Sequence, residues 1–86
     1  MAVLYKADGT IETVEPASGK KFTNEEVWEI IGGWYEVVPI PDNSGKLLVD
    51  EEGLLKGLPA NKNASTLVNI PIVGPALWTK GEGFGS

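Results

Sequence analysis

The chain has 86 residues, 42% of them hydrophobic and 22% charged, and these values are typical of one small folded domain. Twelve acidic residues and seven lysines give a net charge of −5, which argues against direct binding to nucleic acid. The absence of cysteine and histidine excludes disulfides, thiolate chemistry and the usual sulfur and nitrogen ligands of zinc.

The first predicted element in chain order is a β-hairpin. Residues 2–6 and 10–15 are rich in strand-forming side chains and flank Ala7-Asp8-Gly9. Asp-Gly between two such runs is a strong signal for a hairpin turn. The next stretch, PASGK at 16–20, consists of turn-forming residues and separates the hairpin from the next element.

A helix with a well-marked beginning is predicted after this turn. Thr23 and Glu26 have the spacing of a capping box, in which each side chain accepts a hydrogen bond from the backbone N–H of the other residue. The glycine pair at 32–33 ends the helix, because glycine readily adopts the left-handed conformation found at helix ends. Three apolar residues at helical spacing predict the face that packs on the core: Val27, Ile30 and Ile31.

A second hairpin is predicted from WYEVVPI at 34–40 and KLLVD at 46–50. Pro39 cannot donate a hydrogen bond to a neighbouring strand, so its strand is expected to lie at an edge or to bend. After a turn at 50–53, Leu54-Leu55 is a candidate short strand. Residues 61–68 predict one or two helical turns capped by Asn61 or Asn63. Residues 70–78, interrupted by two prolines and a glycine, predict a last strand with bends.

These elements together predict an α+β fold. We expect a small single domain with an antiparallel sheet built from two hairpins plus a last strand, packed against one main helix. The compact domain is expected to span residues 1–79, and KGEGFGS at 80–86 to be a flexible, glycine-rich tail. No signal-peptide pattern and no run of about 18 apolar residues occurs, so we expect a cytoplasmic protein without membrane contact.

Acidic and aromatic side chains predict a surface for binding another protein. Carboxylates favour a partner with a basic surface, and tryptophan supplies a large contact area together with a polar N–H. The glutamates could alternatively imitate nucleic-acid phosphates or form a solvated helix face, and the aromatic residues could build the core or a self-association patch. The candidate partner-binding residues are Glu25, Glu29, Glu36, Trp28 and Trp34.

The irregular stretch GLLKGLPANKNA at 53–64 predicts either a structural turn or a ligand site. In the second interpretation, Trp34 or Tyr35 stacks on the base of a nucleotide in a pocket at a homodimer interface. Lys56, Asn61 and the backbone around Gly57 would then contact its phosphates. The lack of arginine counts against this site, because arginine provides the planar fork that binds phosphate in a bidentate way.

The order GGWYEVVPIPDNSGKLLVDEEGLLKGLPANKNAS, followed by PIVGPAL, resembles domain-of-unknown-function family 3846, small proteins from bacteria, phages and mobile elements. The shared pattern is a glycine pair, an aromatic-Glu-Val hairpin, an acidic turn ending in glycine, KGLPAN and a final IVGPAL strand. It covers roughly residues 22–78. The chain departs from it mainly in its aromatic content and its glycine-rich tail.

The resemblance implies a function only through the source and size of such proteins. It suggests a phage or mobile-element accessory protein that inhibits a host defence protein stoichiometrically, in the manner of anti-CRISPR proteins, in the cytoplasm of the bacterial host. We expect no enzymatic activity, no catalytic residue, no metal and no other cofactor. The alternatives are sequestration of a small nucleotide signal by a homodimer and a structural role in an assembly.

Overall fold

A five-stranded antiparallel sheet forms the centre of the protein in the computed structural model, which describes residues 2–80. The strands are β1 (Ala2–Tyr5), β2 (Ile11–Val14), β3 (Tyr35–Pro39), β4 (Lys46–Asp50) and β5 (Ala76–Thr79). Two helices accompany the sheet in this part of the chain, α1 (Asn24–Ile31) and α2 (Lys62–Val68). The sheet order β2-β1-β5-β4-β3 places the last strand in the middle.

Two pairs of consecutive strands are antiparallel neighbours, and β5 joins them. β1 pairs with β2, and the Asp8 carboxylate accepts a hydrogen bond of 2.8 Å from the Thr10 N–H in the connecting turn. β3 pairs with β4. Trp78 of β5 lies between Val3 of β1 and Leu47 of β4. The sheet is therefore continuous only because β5 is inserted between the two pairs.

The beginning and the end of α1 follow the predicted local signals. The Glu26 N–H donates to Thr23 Oγ1 at 3.1 Å, and the Thr23 N–H donates to the Glu26 carboxylate at 2.9 Å, which completes the capping box. At the other end, Gly32 has a φ of +90° and its N–H donates to the Trp28 carbonyl at 2.7 Å. Glycine adopts this conformation without the steric strain of a side chain, so the helix ends here.

The two helices lie on opposite faces of the sheet. Leu47 and Leu48 belong to different buried clusters, as the alternation of side chains along a strand requires. The α1 cluster consists of Ala2, Leu4, Phe22, Val27, Ile31, Leu48 and Leu77. The α2 cluster consists of Ile40, Leu47, Val49, Ala64, Val68, Ile72 and Ala76. The prediction of one main helix is incomplete, because the apolar residues on both faces of β4 require a cover on each side.

The prediction of a short strand at Leu54-Leu55 is wrong. Residues 51–57 form consecutive turns, in which the Lys56 N–H donates to the Glu52 carbonyl and the Gly57 N–H donates to the Leu54 carbonyl. Both leucine side chains are highly exposed, at 82% and 87%. The turn hydrogen bonds, rather than the apolar character of the pair, determine the local structure.

The segments that flank α2 differ in part from the prediction. Asn61, one of the two predicted caps, begins α2 by accepting a hydrogen bond from the Ala64 N–H at 3.1 Å. The last strand begins only at Ala76, because Val73 instead forms an isolated bridge with Ala60. Residues 81–86 of the predicted tail lie outside the described part of the chain.

β3 lies at one edge of the sheet, as its proline predicts. The Glu51 N–H donates to the Trp34 carbonyl at 3.1 Å, so the backbone groups of Glu36 and Val38 also face β4. The alternate residues, which include Pro39, point their backbone groups away from the sheet. Pro39 therefore costs the sheet no hydrogen bond and shortens the row of donors open to a foreign strand.

Candidate functional site

A groove on the exposed side of α1 brings together four of the five residues predicted to bind a partner. Its volume is about 430 Å³. Three of its residues recur at i, i+3 and i+4 on α1 and therefore share one helix face. The groove is lined by Asn24, Glu25, Trp28, Glu29 and Trp34. We call this surface the tryptophan groove.

The two indoles of the tryptophan groove meet at a right angle. The ring centroids of Trp28 and Trp34 are 4.5 Å apart and the ring planes differ by 84°, which is the edge-to-face arrangement preferred by aromatic pairs. The chain reversal at Gly32 and Gly33, whose N–H groups both donate to the Trp28 carbonyl, brings Trp34 beside Trp28. Both rings remain substantially exposed, at 42% for Trp28 and 60% for Trp34.

The two glutamates of the tryptophan groove have no partner among residues 2–80, unlike their neighbour Glu26. Glu26 accepts hydrogen bonds from the Ala17 and Thr23 N–H groups, which lower the pKa of its carboxyl below the usual value. Among residues 2–80, no hydrogen bond or ion pair engages the carboxylates of Glu25 and Glu29. Like charges at i and i+4 repel each other by about 0.2–0.5 kcal/mol in a helix. A cation between them would remove that repulsion.

Tyr35, predicted as an alternative stacking residue, does not line the tryptophan groove but contacts Asn24, one of its lining residues. Its hydroxyl donates to Asn24 Oδ1 at 2.8 Å and its ring packs against the α1 cluster. The contact ties the beginning of β3 to the first turn of α1. Asn24 was missed as a site residue, although it lies four positions before Trp28 and so belongs to the same helix face.

Glu36 does not join the other predicted partner-binding residues. It lies on the same face of β3 as Val38, which packs against the α2 cluster, whereas Tyr35 packs against the α1 cluster. Glu36 instead borders a separate small depression with Val49 and Leu54. The sheet therefore separates Glu36 from the glutamates of α1, so the candidate partner-binding residues do not all share one surface.

One comparison with known proteins gives a match. A family model described as a domain of unknown function, DUF3846, matches residues 1–86. The chain belongs to the DUF3846 family. No curated protein and no solved structure matches it.

In this DUF3846 protein, the predicted ligand residue Lys56 binds within its own chain. Its Nζ lies 2.7 Å from Asp50 Oδ2 and 3.2 Å from the Gly32 carbonyl oxygen. The Asp50 carboxylate is buried and also accepts a hydrogen bond of 2.8 Å from the Glu52 N–H. Burial raises the pKa of Asp50, but the Lys56 hydrogen bond, the Glu52 N–H and the Lys56 charge together lower it below the usual value.

Asn61, the other predicted phosphate-binding side chain, is also engaged within the fold. Its side chain is 1% exposed. Nδ2 donates to the Tyr5 and Gly74 carbonyls, each at 2.8 Å, and Oδ1 accepts from the Ala64 N–H. The amide thus fastens β1, the segment before β5 and the beginning of α2 to one another.

Gly57 has the backbone conformation of a turn residue, with a φ of +69°. Together with the contacts of Lys56 and Asn61, this conformation identifies GLLKGLPANKNA as a structural connection between β4 and α2. Two sequence patterns of this chain, Gly-Leu-Pro-x-Asn at 57–61 and IVGPAL at 72–77, meet where Asn61 binds the Gly74 carbonyl and the Asn61 N–H donates to the Ile72 carbonyl at 2.8 Å. The two motifs are therefore parts of one hydrogen-bonded unit.

Metal-binding and membrane-spanning features are both missing from the described part of the chain. Between residues 2 and 80, no group of three or more carboxylate side chains is arranged to hold a metal ion. Within the same range, no helix has both the length and the apolar character needed to cross a bilayer. In the tryptophan groove, by contrast, the carboxylates of Glu25 and Glu29 make no hydrogen bond or ion pair with other groups of residues 2–80, and both indoles remain exposed.

Proposed function

We propose that this DUF3846 protein is a non-enzymatic binding protein that inhibits a host defence protein by stoichiometric association. It acts as an accessory protein of a phage or mobile element, in the cytoplasm of the bacterial host, and contacts a basic surface of its partner with the tryptophan groove. The observation that carries this proposal is the convergence in one groove of two exposed indoles and two carboxylates that have no hydrogen-bond or ion-pair partner among residues 2–80.

The physical support comes from the composition of the groove. Binding hot spots are enriched in tryptophan, because a large rigid ring excludes water at little cost in conformational entropy. The carboxylates of Glu25 and Glu29 add a negative potential that attracts a basic surface and speeds association. The net charge of −5 has the same sign, so long-range attraction and local contacts favour the same kind of partner.

The two alternatives have less support. Nucleotide sequestration was expected to use Lys56 and Asn61, and both side chains bind other parts of the fold. For a homodimer or a larger assembly, the shortened edge of β3 offers few backbone donors to a second copy. The mass of the purified protein under native conditions distinguishes these alternatives from a monomeric inhibitor.

The test begins with capture of partners from a bacterial lysate on the immobilised protein. A captured defence protein is then purified and its own activity is measured against increasing amounts of the inhibitor. We expect the activity to fall to zero near a one-to-one molar ratio, because inhibition is by occupancy rather than by turnover. Loss of activity at a small fraction of that ratio would contradict a non-enzymatic mechanism.

A matched pair of charge reversals then locates the surface. The double variant Glu25→Lys with Glu29→Lys changes the tryptophan groove, and Glu51→Lys with Glu52→Lys makes the same change in net charge in the exposed turn after β4. We expect the first variant to weaken binding at least 100-fold and the second to change it less than threefold. Equal effects of the two variants would show that net charge alone, and not the groove, determines binding.

A further inference from the structure

We propose that the tryptophan groove receives a single arginine side chain of the partner, an inference that rests on the function proposed above and specifies its chemistry. The guanidinium stacks on the exposed indole of Trp34 and donates hydrogen bonds to the carboxylates of Glu25 and Glu29. The partner is thus a protein that presents an arginine at the centre of a basic surface.

The geometry of the walls favours a cation rather than an apolar side chain. The indole planes of Trp28 and Trp34 are nearly perpendicular, and the face of an aromatic ring is the negative pole of its quadrupole, which attracts a cation. The carboxylates of Glu25 and Glu29 lie on the same helix face as Trp28 and line the same groove. An apolar side chain placed there would desolvate two carboxylates without compensation, at a cost in free energy that a cation avoids.

The combination of aromatic face and carboxylate favours arginine over lysine. A guanidinium is planar, stacks on aromatic rings, carries little bound water and binds carboxylates through two parallel N–H groups. An ammonium group is strongly hydrated and has no flat face to stack. The groove volume of about 430 Å³ lies within the roughly 300–1,000 Å³ range of ligand pockets, so it has room for a guanidinium together with neighbouring atoms of the partner.

The sequence excludes a second copy of this chain as the source of that side chain. All seven positive charges of the chain are lysines, and arginine is absent. Among residues 2–80, the ion pairs Lys6–Glu12 and Lys56–Asp50 engage two of those lysines away from the groove. The arginine must therefore come from a different protein, which agrees with a heteromeric complex.

The test uses short peptides, so it does not depend on finding the partner. Acetyl-Gly-Arg-Gly-amide, its lysine analogue and its citrulline analogue are titrated into the isotope-labelled protein, and the indole N–H resonances are followed by NMR. Trp78 packs against the α2 cluster on the other face of the sheet and serves as an internal control. We expect saturable shifts of Trp28 and Trp34, no shift of Trp78, and affinity for arginine at least tenfold above that for citrulline and threefold above that for lysine.

Variants distinguish specific binding in the groove from a general attraction between the acidic protein and a cationic peptide. Glu25→Gln with Glu29→Gln should weaken arginine binding at least tenfold, whereas Glu51→Gln with Glu52→Gln should leave it unchanged. Trp34→Leu, at an exposed position where folding is not at risk, should abolish the preference for arginine over lysine. Equal binding of the arginine and citrulline peptides, or equal shifts of all three indoles, would overturn the inference.

Failure of this inference and failure of the proposed function give different results. If the groove charge reversals abolish inhibition of a defence protein but the arginine peptide does not bind, the function stands and the arginine inference is wrong. If the peptide binds as expected but the reversals leave inhibition unchanged, the arginine site stands and the proposed inhibitory surface is wrong.

Discussion

Asn61 offers the sharpest test of the structural role assigned to GLLKGLPANKNA. In Asn61→Asp, the side chain keeps its size and the oxygen that caps α2 but loses both N–H donors to the Tyr5 and Gly74 carbonyls. Leaving a buried carbonyl without its donor costs about 1–3 kcal/mol, so two carbonyls cost about 2–6 kcal/mol. The new negative charge beside those oxygens adds to this cost.

Asn63→Asp is the matched control, because it makes the same chemical change two residues later at an exposed position of α2. We expect a change of less than about 0.5 kcal/mol for this exposed substitution. Urea unfolding followed by circular dichroism gives both free energies of unfolding, with equal m-values required for the comparison. A loss below about 1 kcal/mol in Asn61→Asp would refute the bridging role.

Asp50, Gly45 and the intramolecular contacts of Lys56 and Asn61 each give a further prediction. Because the pKa of Asp50 is lowered in the folded state, its stabilising contribution is present above the unfolded pKa of about 3.9 and is lost as the pH falls through the lower folded value. Asp50→Asn should therefore flatten the fall in unfolding free energy below about pH 4, measured by urea unfolding at several pH values; an unchanged slope would contradict the role of the Lys56 pair. Gly45→Ala should destabilise by about 2 kcal/mol or more in thermal unfolding, since its Cβ would lie 2.5 Å from the Thr79 carbonyl oxygen. Gly33→Ala should cost less, because the closest neighbour of its Cβ is the end of the flexible Lys56 side chain at 2.7 Å, which can shift at the expense of its ion pair with Asp50. Equal losses in the two variants would contradict the larger cost assigned to the backbone contact at Gly45. Finally, a panel of nucleotides should leave the midpoint of thermal unfolding unchanged, whereas a ligand present at 100 times its Kd would add about 2.7 kcal/mol and raise the midpoint on the order of 10 °C.

Features of the fold that depend on neighbouring residues were predictable from the sequence. The capping box of Thr23 and Glu26, the helix end at Gly32 and the edge position of Pro39 all result from steric and hydrogen-bonding rules that act within a few residues. The helical turns at 61–68 were predicted, but their position as a second layer on the opposite face of the sheet was not, although the run Leu47 to Val49 contains its signal. Three consecutive apolar residues in a strand place buried side chains on both faces.

Features that depend on long-range pairing were not predictable in the same way. Alternation separates Glu36 from Tyr35, but it does not say which of them faces α1. Leu54 and Leu55 have the composition of a strand, and only the surrounding turn hydrogen bonds show that no partner strand reaches them. The spacing of Glu25, Trp28 and Glu29 predicts that these three groove residues share one face of α1. The position of Trp34 beside them was not predictable, because it depends on the chain reversal after Gly32.

The central position of β5 determines when the protein can fold. The pairs β1–β2 and β3–β4 are each formed by segments that are close in the sequence, so each pair can assemble early as a local hairpin. A two-stranded hairpin alone is only marginally stable in water. The two hairpins gain a shared sheet only after residues 76–79 have been synthesised and inserted between them. On the ribosome, cooperative folding must therefore wait until nearly all of the described chain has emerged, and the nascent chain until then presents two unjoined strand edges.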